Sequence, residues 1–333
     1  MLLGANAPHD SLIRDTFNVN NFRYTSQFFK EINLSYATYI YSSEDYNLIG
    51  GVTLKVLFGA GAMGVNVSNA NFNTYNNDGT AYNLSGNGNF VYTPFANKWA
   101  LSNSPLNALA SPTNNMGIGA DVGMVYYINV NETMALIKGY QLRLAASVTD
   151  IGSINYTAGS FSGNFNINNQ NINYKNIQNN STKTFGTRLF SDYYQDTVLK
   201  GKSNISKFTV GLPTALRLNA DIKVLEEKVF FNINGIINLR NPNADKYVNH
   251  YITTATFTPR YATKLFQFAL PFTFNNQKQG YLGGVIYCGP FYIGSSSIFS
   301  MTVTNKFNNI DLFSGLSLRI KKRTAKERDY MMM

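Results

Sequence analysis

Apolar and polar residues alternate most regularly between Leu212 and Leu239. Leu216, Leu218, Ala220, Ile222 and Val224 take every second position, and Arg217, Asn219, Asp221 and Lys223 fill the gaps. A repeat of two is that of a strand with one apolar and one polar face. After Leu225-Glu226-Glu227-Lys228 the pattern restarts, with Val229, Phe231, Ile233, Gly235, Ile237 and Leu239 set against Asn232, Asn234 and Asn238. The stretch predicts an antiparallel hairpin.

The same alternation recurs along the chain. It predicts strands over Ile32 to Ile40, from Leu48 through Val56, over Ile118 to Ile128, Tyr140 to Val148 and near Tyr251 to Thr258. Further strands are predicted over Phe266 to Phe274, Tyr281 to Gly289, Phe291 to Val303 and Ile310 to Ile320. Gly50, Gly51, Gly59, Gly61 and Gly64 make the apolar run from Leu48 to Val65 a poor helix, so it reads as a long strand. Pro271 removes a ladder donor and calls for a bulge, and Lys138 on an apolar side calls for a slip near Gly139. Residues 1–30 show no clear period. Asn66 to Asn115 reads as a long loop or an extended hairpin tip, and Asn155 to Ser206 as a second Asn-rich connection.

Connections alternate between short ones (Ser42 to Tyr46, Asn129 to Thr133, Leu225 to Lys228, Arg260 to Thr263, Cys288 to Phe291) and long or Asn-rich ones. Membrane barrels have that asymmetry, with short periplasmic turns and longer outer loops. The expected fold is therefore all-β, an antiparallel transmembrane β-barrel with about eleven strands visible. An odd count, and the lack of an apolar signal segment after Met1, predict an N-terminally incomplete chain with about fourteen strands in the full protein. The expected division is a preceding loop or strand remnant at 1–30, the outer-membrane barrel at 31–322 and a basic periplasmic tail at 323–333.

Composition decides which face meets what. Charged residues are 14% of the 333 and aromatics also 14%, against roughly 25% charged in ordinary soluble domains. The polar faces are built from Asn, Gly, Ser, Thr and Gln, which suits a lumen better than a solvated sandwich. A mean hydropathy of −0.17 excludes a polytopic helical membrane protein. The net charge of +10 gathers partly in Arg319 to Arg328, a solvated terminus able to meet anionic lipid or a complex component, and nucleic acid is not an expected partner. Cys288 is the single cysteine, and His9 and His250 have no partners at ligand spacing. Gly59 to Gly64 lacks a strand-to-helix phosphate-loop sequel, and no serine has a nucleophile-elbow context. No enzyme, cofactor or metal is expected.

Asp121, Arg143, Arg217 and Asp221 take the polar face of their strands. In a barrel they face the lumen, where they plug it with ion pairs or bind a polar solute. Tyr36, Tyr126, Tyr140, Phe266 and Phe274 are expected in interfacial girdles or against lipid. Tyr75, Tyr82, Trp99, Tyr174, Tyr193 and Tyr194 place partner contacts on the long loops.

Several segments carry a family likeness: Leu212-Pro213-Thr214, Ser147-Val148-Thr149-Asp150-Ile151-Gly152-Ser153-Ile154, Thr258-Pro259-Arg260-Tyr261 with Leu270-Pro271-Phe272, and Gly289-Pro290-Phe291-Tyr292-Ile293-Gly294-Ser295. Over roughly residues 30 to 322 the chain resembles an uncharacterised outer-membrane barrel family of Bacteroidota, similar to the type IX secretion-associated PorP/SprF barrels. The resemblance implies a Gram-negative outer-membrane location and a non-catalytic accessory or docking role. It implies as partners outer-membrane lipid and a secreted or surface protein or secretion component. The alternative is a FadL-like or porin-like transporter of a hydrophobic or small polar solute. The chain departs from the family in its basic tail and terminal Met331-Met332-Met333.

Overall fold

The computed structural model describes residues 17–43, 45–74, 81–93, 114–129, 140–159, 162–173, 205–225, 228–241, 247–263, 266–300 and 311–316. Its elements are β1 (Phe17–Ser42), β2 (Tyr46–Thr74), β3 (Ala81–Tyr92), β4 (Asn115–Asn129), β5 (Tyr140–Thr157), β6 (Gly163–Asn173), β7 (Lys207–Gly211) and β8 (Ala215–Leu225). They continue with β9 (Val229–Asn238), β10 (Thr254–Ala262), β11 (Phe266–Ala269), β12 (Phe272–Asn275), β13 (Gly280–Leu282), β14 (Gly284–Cys288), β15 (Phe291–Ser295) and β16 (Phe313–Leu316). All sixteen belong to one antiparallel sheet.

The sheet runs β1-β2-β4-β5-β8-β9-β10-β11-β14-β15-β16, with β3 and β6 added beside the far half of β2. Three strands are split by residues that break a ladder. Leu212-Pro213-Thr214 separates β7 from β8, Leu270-Pro271 separates β11 from β12, and Gly283 separates β13 from β14. The alternation implies eleven strands; the sixteen include β3 and β6 in the stretches read as connections and three strands that are each split in two. Among the described residues β1 and β16 are not paired with each other, so the sheet is open.

Several boundaries differ from the sequence reading. β1 starts at Phe17, so residues 17–30 continue the Ile32 strand. Their period is hidden by Asn21 at φ 56° and a register shift at Phe28/Phe29. The Asn66 to Asn115 stretch begins as an extended hairpin, β2 to β3, and β6 lies inside the second Asn-rich connection. β10 runs on through Ala262, which moves the expected link at Arg260 to Thr263; there the Thr263 hydroxyl donates to the Phe266 carbonyl and accepts from the Phe266 N–H. Lys138, Gly139, the basic tail and the loop aromatics Tyr75, Trp99, Tyr174, Tyr193 and Tyr194 lie outside the described residues.

The two faces of the sheet are chemically opposite. One carries Leu34, Leu54, Ile118, Val122, Leu218, Ile222, Ile233, Phe257, Phe268 and Ile293, all exposed; Ile118 is 77% exposed and Ile233 58%. The other carries Lys55 and Asp221, at 7% and 3%. A soluble fold would bury the first set and expose the second. At the short-turn end, Tyr41 stacks on Tyr46 (5.1 Å between centroids) and Tyr46 meets Tyr126 (6.0 Å).

Candidate functional site on the polar face

Period two places Thr53, Lys55 and Leu57 of β2 on the polar face, while Val52, Leu54 and Val56 point the other way. Lys55 Nζ lies 2.9 Å from Asp121 Oδ1 on β4 and 2.7 Å from Asp150 Oδ1 on β5. Asp150 reaches this position through a bulge. Ala120 pairs with Ile151 and Val122 with Val148, leaving Asp121 opposite both Thr149 and Asp150. Asp150 turns at φ 58°, its N–H donates to Asp121 Oδ1 (2.7 Å), and its carbonyl accepts the Thr214 hydroxyl (2.8 Å).

The bulge and the Pro213 corner are built against each other. The Leu212 N–H donates to the Gly152 carbonyl, and Arg240 donates from Nη2 to the same carbonyl and from Nε to that of Leu212. Gly152 sits at φ 149°, and a Cβ there would collide with the Ile118 carbonyl. Gly152→Ala is therefore expected to lower stability by about 1–3 kcal/mol, read as a lower urea midpoint of the folded protein.

Tyr251 donates to the free Asp150 oxygen (3.1 Å), and the Arg217 guanidinium lies 4.9 Å over the Tyr251 ring while Nε donates to Thr149 Oγ1. A second cluster sits nearer the short turns. Asp221 pairs with Arg260 Nη2 (2.8 Å) and accepts the Tyr140 hydroxyl, and Arg260 stacks over Phe230 (4.6 Å). Asp221 Oδ1 and Arg260 Nε are buried without hydrogen-bond partners among the described residues. Arg143, opposite Asp221 in register, donates instead to Asn219 (2.9 Å).

Towards the long-loop end the same face becomes apolar. Leu57, Ala62, Val91, Ile154, Tyr156, Phe208, Val210, Leu212 and Tyr247 form one buried cluster. Tyr156 stacks on Phe208 (5.6 Å), and the Tyr247 hydroxyl donates to Asn89 (2.6 Å). Burial pushes the Tyr247 hydroxyl up to about 12.

Asp311, in the connection before β16, holds the end of β15. It accepts the Ser296 N–H and the hydroxyls of Ser295, Ser296 and Ser297. Partial burial alone would raise its pKa, but these donors hold it below the ordinary carboxylate value. Its contribution is thus complete above the unfolded value, about 3.9, and is lost as pH falls through the lower folded one. Acidification is expected to release amide protection at Ser296 in hydrogen exchange, and Asp311→Asn to release it already at pH 7.

All four residues picked out from the sequence, Asp121, Arg143, Arg217 and Asp221, lie on this polar face: Asp121 and Arg217 are joined through Asp150 and Tyr251, Asp221 belongs to the second cluster, and Arg143 bonds to Asn219. Three partners escape a reading by strict alternation: Asp150, because of the bulge; Arg260, because β10 is longer; and Tyr251, in the approach to β10. Tyr140 is corrected. Register slips between Ile128/Leu142 and Asn129/Tyr140, so an extra residue at Gln141 turns Tyr140 from the expected girdle to Asp221. Among the described residues no group of His, Cys, Asp and Glu could hold a metal ion.

Residues 3–296 match the model of DUF5723, a family of unknown function. The chain belongs to DUF5723. No curated protein and no solved structure matches it. The DUF5723 match takes in β1 through β15, hence both ionic clusters, the Pro213 corner and the apolar cluster.

Proposed function

We propose that this chain forms the wall of an outer-membrane β-barrel of a Gram-negative bacterium, with a non-catalytic docking role at the cell surface. The segregation of the two faces carries the reading: exposed apolar side chains on one, paired and buried charges on the other. A solvent of hydrocarbon makes that arrangement favourable. Element length agrees. β8, β9 and β10 have 11, 10 and 9 residues, and a tilted strand needs about 9–11 to cross a bilayer. Tyr41, Tyr46 and Tyr126 supply an aromatic girdle at the short-turn end.

Docking is favoured over transport because Lys55, Asp121, Asp150, Asp221 and Arg260 on the polar face are paired with one another. The ionic clusters lie in its middle, and the apolar cluster lies at its long-loop end. β1 and β2, at 26 and 29 residues, run well beyond a bilayer crossing and carry β3 and β6 outward. The resemblance to secretion-associated barrels extends this role to a secreted protein or a type IX secretion component. In planar bilayers the purified protein is expected to add no stepwise conductance. Stable ohmic channels would overturn the docking role in favour of transport.

A further inference from the structure

Beyond the Lys55 layer, β1, β2, β3 and β6 continue side by side, and their register lines up asparagines across the strands. One row is Asn20, Asn69, Asn87 and Asn166. The next row towards the ionic layer is Arg23, Asn66, Asn89 and Asn164. On the far side Asn18 pairs with Asn71, and Asn71 with Ser85. Neighbours within a row are about 4.8 Å apart, and the rows about 7 Å apart along β3. Asn89 receives the Tyr247 hydroxyl, which joins this grid to the apolar cluster below it.

Asn18, Asn20, Asn69, Asn87, Asn164 and Asn166 are exposed, and their amides bond to no other described residue. A primary amide offers two donors and an acceptor with two lone pairs. Arg23 is the single charge in these rows. We infer that this grid is a docking surface for a neutral polysaccharide laid across the strands.

The chemistry selects that occupant. A nucleic acid or acidic polymer needs several cations, and a protein partner needs buried aromatic or aliphatic anchors; the residues named in these rows include one cation and no aromatic or aliphatic side chain. Sugar hydroxyls both donate and accept, as amides do, and asparagine loses few rotamers when it binds. Each contact is weak, so affinity comes from repetition along an extended chain. The inference rests on the docking role only for its place at the cell surface.

The test uses the full chain in detergent, titrated calorimetrically with maltoheptaose, laminarihexaose, cellohexaose and soluble mannan, and with polygalacturonate as the acidic control. At least one neutral glycan is expected to bind, and Asn69→Ala with Asn87→Ala to weaken it about tenfold. Asn69→Ser with Asn87→Ser, which restores short polar groups, is expected to recover part of the loss. Unchanged heat-modifiable migration of the variants confirms that they fold. Binding of none of the neutral glycans, equal binding of polygalacturonate, or undiminished binding by the double Ala variant would overturn the inference. Glycan binding by a chain that fails the membrane-facing test would leave the grid standing and remove the barrel.

Discussion

Lys55→Met is expected to destabilise the folded protein by about 3 kcal/mol, at the low end for breaking a buried ion pair. Lys55 is the single cation within 4 Å of Asp121 and Asp150 among the described residues, and its own side chain is 8% exposed. Removing it leaves two carboxylates facing each other, and their partial exposure keeps the cost below the maximum. The loss also reaches the backbone, because Asp150 holds the bulge through its N–H and the Pro213 corner through its carbonyl. Urea titration followed by circular dichroism measures the shift. Adding Asp121→Asn and Asp150→Asn to Lys55→Met is expected to recover most of it, since both orphaned charges are then gone. A single mutant with the parental midpoint would mean that water, not Lys55, neutralises these carboxylates.

Ile233→Arg is expected to cost about 2–4 kcal/mol, the price of an arginine at the bilayer midplane. Ile233 lies at the middle of the β8/β9 ladder, opposite Ala220. Its neighbour Asn234 faces the other way and is also exposed, so Asn234→Arg is expected to stay within about 0.5 kcal/mol. The pair separates lipid from water because both positions are exposed in the free chain. Folding yield into phosphatidylcholine vesicles is expected to collapse for the first variant alone. Equal yields would place Ile233 in water.

The apolar face was legible in β8 and β9 because their alternation is regular: the structure pairs Leu216 with Ile237 through Lys223 with Phe230 in that register, and the ladder shifts only at Val224. The polar face was legible only where the strands stay regular. Asp121, Arg217 and Asp221 follow from parity alone. Asp150 and Tyr140 do not, because one extra residue at each bulge inverts the parity beyond it. The signal for the first was Gly152, a glycine inside a β-rich run two residues after an aspartate, which marks a bulge more often than a plain strand. Arg260 was assigned to the short link after the Tyr251 to Thr258 strand, whereas β10 runs through it. The Asn-rich stretches gave no period because β-bulges at Ser68 and near Ser85 shift the register of β2, β3 and β6.

The facing of β8 tests the account most directly. In a Cys288→Ser background, which removes the exposed native thiol, single cysteines replace Leu218 or Asn219 in native membranes and are challenged with lipid-soluble and water-soluble maleimides. Leu218→Cys is expected to react from the lipid phase alone and Asn219→Cys from water alone. The reverse preference, or protection of both, would contradict the membrane barrel and return the chain to the soluble β-proteins.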